Sequence, residues 1–263
     1  IGIVGESGSG KSLTSMAIMG LLPKNAEILS GDISFQSEDK SLNLLALPDT
    51  QMRSLRGKRI AMIFQEPMTS LNPSHTCGNQ VAEMLITHEN ISKAEARERV
   101  VKLFEEVLLP RPAEMYDSYP HQISGGQKQR VMIAMALSCQ PDWLIADEPT
   151  TALDVTVQKQ ILVLLRELCE KRNTGLIFIT HDLGVVAEVS NSVLVMYRGK
   201  VLEQGEVKSL FQNPKDPYTK ALIACRPRLD ASPKRLPVVA DFLNPASGKA
   251  VNQVEASAKS DVA

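Results

Sequence analysis

Short apolar runs punctuate this chain, separated by stretches in which apolar residues recur every three or four positions. Ile1-Gly2-Ile3-Val4, Ile60-Ala61-Met62-Ile63-Phe64, Trp143-Leu144-Ile145-Ala146 and Leu176-Ile177-Phe178-Ile179 are apolar throughout. Such runs predict strands buried on both faces of a parallel sheet. Asp32-Ile33-Ser34-Phe35 alternates after Ser30-Gly31 and predicts a half-buried strand, while Val193 to Gln204 predicts a hairpin turning at Arg198-Gly199-Lys200. Elsewhere the period is helical. Ser92-Lys93-Ala94-Glu95 predicts a capping box ahead of Val100, Leu103, Phe104, Val107 and Leu108, and Pro110 closes that helix. Val131, Ala134 and Leu137 predict a helix starting near Gly126; Val157, Ile161, Leu164, Leu165 and Leu168 predict another. Asp216 is placed to cap a helix opening at Pro217.

Strands alternating with helices predict an α/β chain with a mostly parallel sheet. The pattern divides it into a core in two parts, residues 1–71 and 139–226, around a helical subdomain at 72–138. Residues 227–263, rich in Pro, Ser, Ala and Lys and without a period, are expected to be a linker or disordered tail.

Composition narrows the function classes. With 29 Lys and Arg against 30 Asp and Glu, scattered rather than blocked, there is no basic excess for nucleic acid. No apolar run approaches the ~20 residues a membrane-spanning helix needs. Cys77, Cys139, Cys169 and Cys225 are widely spaced with no C-x-x-C pair, which points to reduced, packed thiols rather than a zinc or disulfide framework.

The chemistry begins at the end of the first apolar run. Gly5-Glu6-Ser7-Gly8-Ser9-Gly10-Lys11-Ser12 matches the phosphate-loop pattern G-x-x-x-x-G-K-[ST] without a gap. Its glycines allow a tight loop whose N–H groups converge on a phosphate at a helix N-terminus. Lys11 supplies a point charge for the β- and γ-phosphates, and Ser12 a hydroxyl for Mg²⁺. A glycine-rich loop by itself is often only a tight turn, but the other parts of an ATP hydrolase follow in order. The third apolar run ends in Asp147-Glu148, which a parallel strand would deliver at its C-terminal edge. Asp147 is placed to hold Mg²⁺ through its water shell, and Glu148 to polarise the attacking water.

With these residues in hand, the chain resembles the nucleotide-binding subunit of ATP-binding-cassette (ABC) transporters from residue 1 to about residue 226. Ile123-Ser124-Gly125-Gly126-Gln127 resembles the family's signature motif, with Ile where Leu is more usual. Gln65 is similar to the glutamine that senses Mg²⁺ and the membrane partner, Thr151-Ala152-Leu153-Asp154 to the D-loop, and His181 to the switch histidine that contacts the γ-phosphate. A lone histidine is ordinarily a packed core residue; the place of His181 at a strand end before Asp182 and a helix reverses that. The resemblance implies a P-loop NTPase with a RecA-like core and an inserted α-helical subdomain, binding ATP and Mg²⁺. It implies a second cassette paired head to tail, so that Ser124, Gly125, Gly126 and Gln127 face the partner's ATP. It also implies two transmembrane permease subunits, indirectly a periplasmic or extracellular substrate-binding protein, and a peripheral place on the cytoplasmic face of the inner membrane.

Finer resemblance concerns cargo. Asn213-Pro214-Lys215-Asp216-Pro217-Tyr218-Thr219-Lys220-Ala221-Leu222 is similar to a segment of dipeptide and oligopeptide importers, and within that group the chain most resembles the first cassette of the fused glutathione-importer ATPases. The expected activity is ATP hydrolysis energising uptake of small peptides. The family carries strands and an adenine-stacking aromatic ahead of the phosphate loop, so the chain reads as N-terminally truncated. A poorly active remnant of such a cassette, or a soluble ABC ATPase outside transport, stay open as alternatives at this point.

Overall fold

The computed structural model describes residues 1–37, 40–65, 70–151 and 153–225. The expected tail at 227–263, the residues that follow Gln65 up to 69, and Ala152 of the D-loop-like stretch lie outside the described residues. The strands are β1 (Gly2–Val4), β2 (Ser34–Ser37), β3 (Lys40–Asn43), β4 (Ile60–Ile63), β5 (Trp143–Asp147), β6 (Gly175–Thr180), β7 (Ser192–Tyr197) and β8 (Lys200–Glu206). The helices are α1 (Lys11–Ile18), α2 (Asp49–Leu55), α3 (Cys77–Glu89), α4 (Lys93–Glu106), α5 (Pro112–Asp117), α6 (Gly125–Leu137), α7 (Val155–Arg172), α8 (Leu183–Val189), α9 (Val207–Gln212) and α10 (Pro217–Ala224). They group into two compact units: Lys11–Thr180, and residues 1–10 with the chain from His181 onward.

In the Lys11–Thr180 unit, β5 lies between β4 and β6 and runs parallel to both, with Ile63 opposite Ala146 and Asp147 opposite Ile179. Leu144, Ile145, Phe178 and Ile179 are fully buried. The continuous apolar pattern of these strands follows from the cover they receive: α1 packs on β5, α6 on β4 and α7 on β6. The chain between β4 and β5 is helical, and α6 packs against α3, α4 and α7.

Two local expectations shift. The alternating strand starts at Ser34 rather than Asp32, because the N–H of Ile33 donates to Asn43 Oδ1 at 3.2 Å and its carbonyl accepts from Leu44 N–H at 2.8 Å. The Ile33 N–H is thus spent on a side chain rather than on the Leu44 carbonyl opposite it, and the paired strand begins one residue later. At α4, Ser92 Oγ accepts from Glu95 N–H as expected, but the Glu95 carboxylate takes a hydrogen bond from Arg99 at 2.8 Å. The helix ends at Glu106, with Leu108 in the left-handed region at φ 57°, two residues before Pro110.

In the other unit, β1 pairs parallel with β7 and β7 antiparallel with β8. The predicted hairpin turns at Arg198-Gly199, both left-handed at φ 47° and 78°, which is the geometry a two-residue hairpin loop needs to match strand twist. Val4, Val186, Val193, Val195, Leu210 and Tyr218 share one apolar core.

Candidate active site

Lys11, 5% exposed, opens α1, and Asp147, 3% exposed, closes β5. Burial lowers the Lys11 pKa, and the negative charges of Glu148 and Asp147 act against that fall. Burial likewise raises the Asp147 pKa; a hydrogen bond from Ser12 opposes the rise, Glu148 adds to it, and Lys11 opposes it. The unit therefore brings Lys11, Ser12, Asp147 and Glu148 into one electrostatic cluster. Asp147 Oδ1 is buried and has no hydrogen-bond partner among the described residues.

Glu148 takes a left-handed backbone, φ 46°, with its N–H donating to Ile179 O at 2.9 Å. A non-glycine residue in this region costs of order 1–3 kcal/mol and persists where its surroundings dictate it. Its carboxylate is held from two sides: Gln65 Nε2 donates to Oε2 at 3.2 Å and Thr151 Oγ1 donates to the same oxygen at 3.1 Å. Thr151 was expected from the sequence only as the first residue of the D-loop-like stretch, not as a partner of Glu148. Its spacing of three residues from Glu148, closed by a Thr151 N–H to Glu148 O bond at 3.2 Å, is the signal that marks it.

The signature stretch forms the start of α6. Ser124 Oγ accepts from Gln127 N–H at 3.3 Å while Gln127 Oε1 accepts from Ser124 N–H at 2.8 Å, a reciprocal cap. Gly126 has a packing reason to be glycine, since a Cβ there would lie 2.9 Å from Val157 of α7. Asp154 caps that helix, accepting from Thr156 and Val157 N–H at 3.1 and 3.0 Å. Gly126 of the signature thus packs against Val157, in the first turn of the helix that Asp154 caps.

Gly5 to Gly10 and His181 belong to the other unit. There Gly8 and Gly10 hold φ of 79° and 103°, conformations open mainly to glycine. The Ser9 carbonyl accepts from Gly199 N–H at 2.9 Å, and the buried Ser9 Oγ has no hydrogen-bond partner among the described residues. Glu6, Ser7 and His181 are exposed; Asp182, the next residue, caps α8 through Gly184 N–H at 2.7 Å. The cysteines carry none of this chemistry: Cys77, Cys139 and Cys169 are buried, and burial pushes Cys77 and Cys169 up to about 11.

Known proteins resemble this chain over most of its length. The ABC transporter family model matches residues 1–151, and the model described as oligopeptide/dipeptide transporter, C-terminal region, matches residues 202–246. The chain is 54% identical over 229 residues to the dipeptide transport ATP-binding protein DppD of Bacillus subtilis, a match spanning 87% of this chain and 67% of that one. It is 49% identical over 247 residues to the glutathione import ATP-binding protein GsiA of Shigella dysenteriae, spanning 91% of this chain and 40% of the relative. Among solved structures, a dimeric ATP-binding cassette in a post-hydrolysis state bound to ADP and Pi aligns with TM-score 0.67 at 29% identity, over 78% of this chain and 84% of that one.

Proposed function

Because this chain belongs to the ABC transporter family, we propose that it is the ATP-hydrolysing subunit that energises uptake of small peptides, with Glu148 as general base. The observation that carries the reading is the Glu148 carboxylate fixed by Gln65 and Thr151 beside Lys11, Ser12 and Asp147. Lys11, at the N-terminus of α1, binds the β- and γ-phosphates, where the helix dipole also favours negative charge. The glycine-rich turn from Gly5 to Gly10 is read as a phosphate cradle, apart from the Glu6 N–H, which donates to Tyr218. Glu148 accepts a proton from the attacking water, and a base so positioned contributes roughly 10²- to 10⁴-fold. His181, ahead of the Asp182-capped α8, is the residue that by family resemblance contacts the γ-phosphate.

The residues suit Mg²⁺: a serine hydroxyl hydrogen-bonded to a carboxylate with an unpartnered buried oxygen is a hard-oxygen donor set. Ser12 and Asp147 would hold the ion, with Gln65 completing the set, and bound there it neutralises charge developing on the phosphates. The signature residues Ser124 to Gln127 and Asp154 serve the ATP of a second cassette, a reading supported by the dimeric form of the solved relative. Two permease subunits and a periplasmic or extracellular binding protein complete the importer. No described helix is long and apolar enough to cross a membrane. The subunit is read as peripheral, held at the cytoplasmic face by its permeases.

Cargo is small peptides, with glutathione, a tripeptide, within that class; the support is 54% identity to a dipeptide system and 49% to a glutathione system. The test is uptake by the assembled transporter in proteoliposomes, with labelled dipeptide and labelled glutathione as separate cargoes. Dipeptide uptake that requires ATP and disappears with Lys11→Ala is expected. ATP hydrolysis indifferent to any peptide, with no uptake, would overturn the reading.

A further inference from the structure

A hydrogen bond ties the phosphate loop to the far end of the chain: Glu6 N–H donates to the hydroxyl of Tyr218, 212 positions away, at 3.0 Å. That hydroxyl is held in place from several directions. The Tyr218 ring is 1% exposed and packs on Tyr197 with centroids 4.4 Å apart. Its helix, α10, is capped by Asp216, which accepts from Tyr218 N–H at 2.8 Å. The helix start is anchored to β8 in turn, because the Glu203 carboxylate accepts from the N–H groups of Lys215 and Asp216 at 2.9 and 3.0 Å. Burial raises the Tyr218 pKa, which keeps the phenol neutral and able to accept from an amide. The loop is also held at its other end by the β7–β8 turn, through Gly199 N–H to Ser9 O.

We propose that Tyr218 is a positioning residue of the ATPase: its hydroxyl fixes the Glu6 end of the phosphate loop, so that the C-terminal segment sets the affinity of the site for nucleotide. This rests on reading residues 5–12 as the phosphate loop. A loop whose N–H groups already converge does not have to be ordered when phosphate arrives, and loosening one end reintroduces that ordering cost. The phosphates are gripped equally in the ground state and the transition state, so the effect falls on KM rather than kcat. The segment that carries Tyr218 lies within the stretch matched by the oligopeptide/dipeptide transporter C-terminal region.

The experiment compares wild type, Tyr218→Phe, Glu6→Pro and the double variant in the assembled transporter, measuring MgATP affinity, KM and kcat. Tyr218→Phe removes one oxygen and keeps the packed ring; Glu6→Pro removes the donor. For Tyr218→Phe the expected result is a rise in KM and in the dissociation constant of roughly two- to tenfold, the size of one net hydrogen bond, with kcat unchanged. The double variant is expected to be no worse than Glu6→Pro alone. A Tyr218→Phe transporter with wild-type KM, a fall in kcat at constant KM, or additive losses in the double variant would overturn the proposal while leaving the ATPase reading intact. A wild-type transporter that binds no MgATP would overturn both.

Discussion

Asp147 carries the clearest conflict between stability and chemistry. Its carboxyl is buried with one oxygen unpartnered, and burial raises its pKa in the folded chain. A raised folded value means that the group favours folding below the ordinary carboxylate range, near pH 4, and that this contribution is lost as pH climbs through the folded value. In the ligand-free protein at about neutral pH the ionised carboxylate is therefore a cost. Asp147→Asn is expected to raise the melting temperature in EDTA without nucleotide at about pH 7, with the gain closing toward about pH 4; an unchanged or lowered melting temperature at neutral pH contradicts the assignment. Asp147 and Glu148 were legible in the sequence, since a short apolar run ending in two acids has few other readings. The grip on Glu148 was not, because Gln65 lies 83 positions away and only the parallel pairing of β4 with β5 brings it near. Tyr218 was quoted as part of a family word, while its bond to Glu6 depends on the packing of α10 that no local pattern encodes.

Two elements have single side chains that decide their placement. Arg56 closes the end of the phosphate helix α1: Nε donates to Met19 O at 2.7 Å and Nη2 to Gly20 O at 2.9 Å, while Nη1 pairs with Asp49 at 3.0 Å. Cationic donors at a helix C-terminus satisfy its last carbonyls and complement its dipole. Arg56→Ala is expected to cost about 1–3 kcal/mol in a denaturant melt, with Arg56→Lys losing part of that because an ammonium cannot reproduce the planar fork. A variant as stable as wild type would show that the helix end is held otherwise. Gly126 sets how closely the signature helix approaches α7. Gly126→Val should cost about 1–3 kcal/mol by overpacking Val157, and Val157→Ala in the same chain should return part of it in a double-mutant cycle. Strictly additive losses would contradict that contact. The long periodic helices and the apolar strands were readable from the sequence because burial on one face or both leaves a period. The short α2 and α5 were not, since Asp49–Leu55 and Pro112–Asp117 are too brief to show one.

At the scale of the whole molecule, the signature cap and the phosphate cluster read as two halves of different sites. Ser124 and Gln127 spend their side chains on closing α6, which leaves the first N–H groups of that helix as donors for an anion brought by a partner. Turnover per chain is therefore expected to rise with concentration in a steady-state assay and to collapse with Ser124→Arg; a flat profile insensitive to that change contradicts a shared site. In the proposed mechanism Glu148 acts on water while Lys11 acts on phosphate. The most direct measurement is MgATP affinity and turnover of the assembled transporter carrying Glu148→Gln, set beside Lys11→Ala. Glu148→Gln is expected to bind MgATP as wild type does and to lose turnover by roughly 10²-fold or more, whereas Lys11→Ala is expected to lose affinity. Near-normal turnover by Glu148→Gln, or a loss of affinity equal to that of Lys11→Ala, would contradict it.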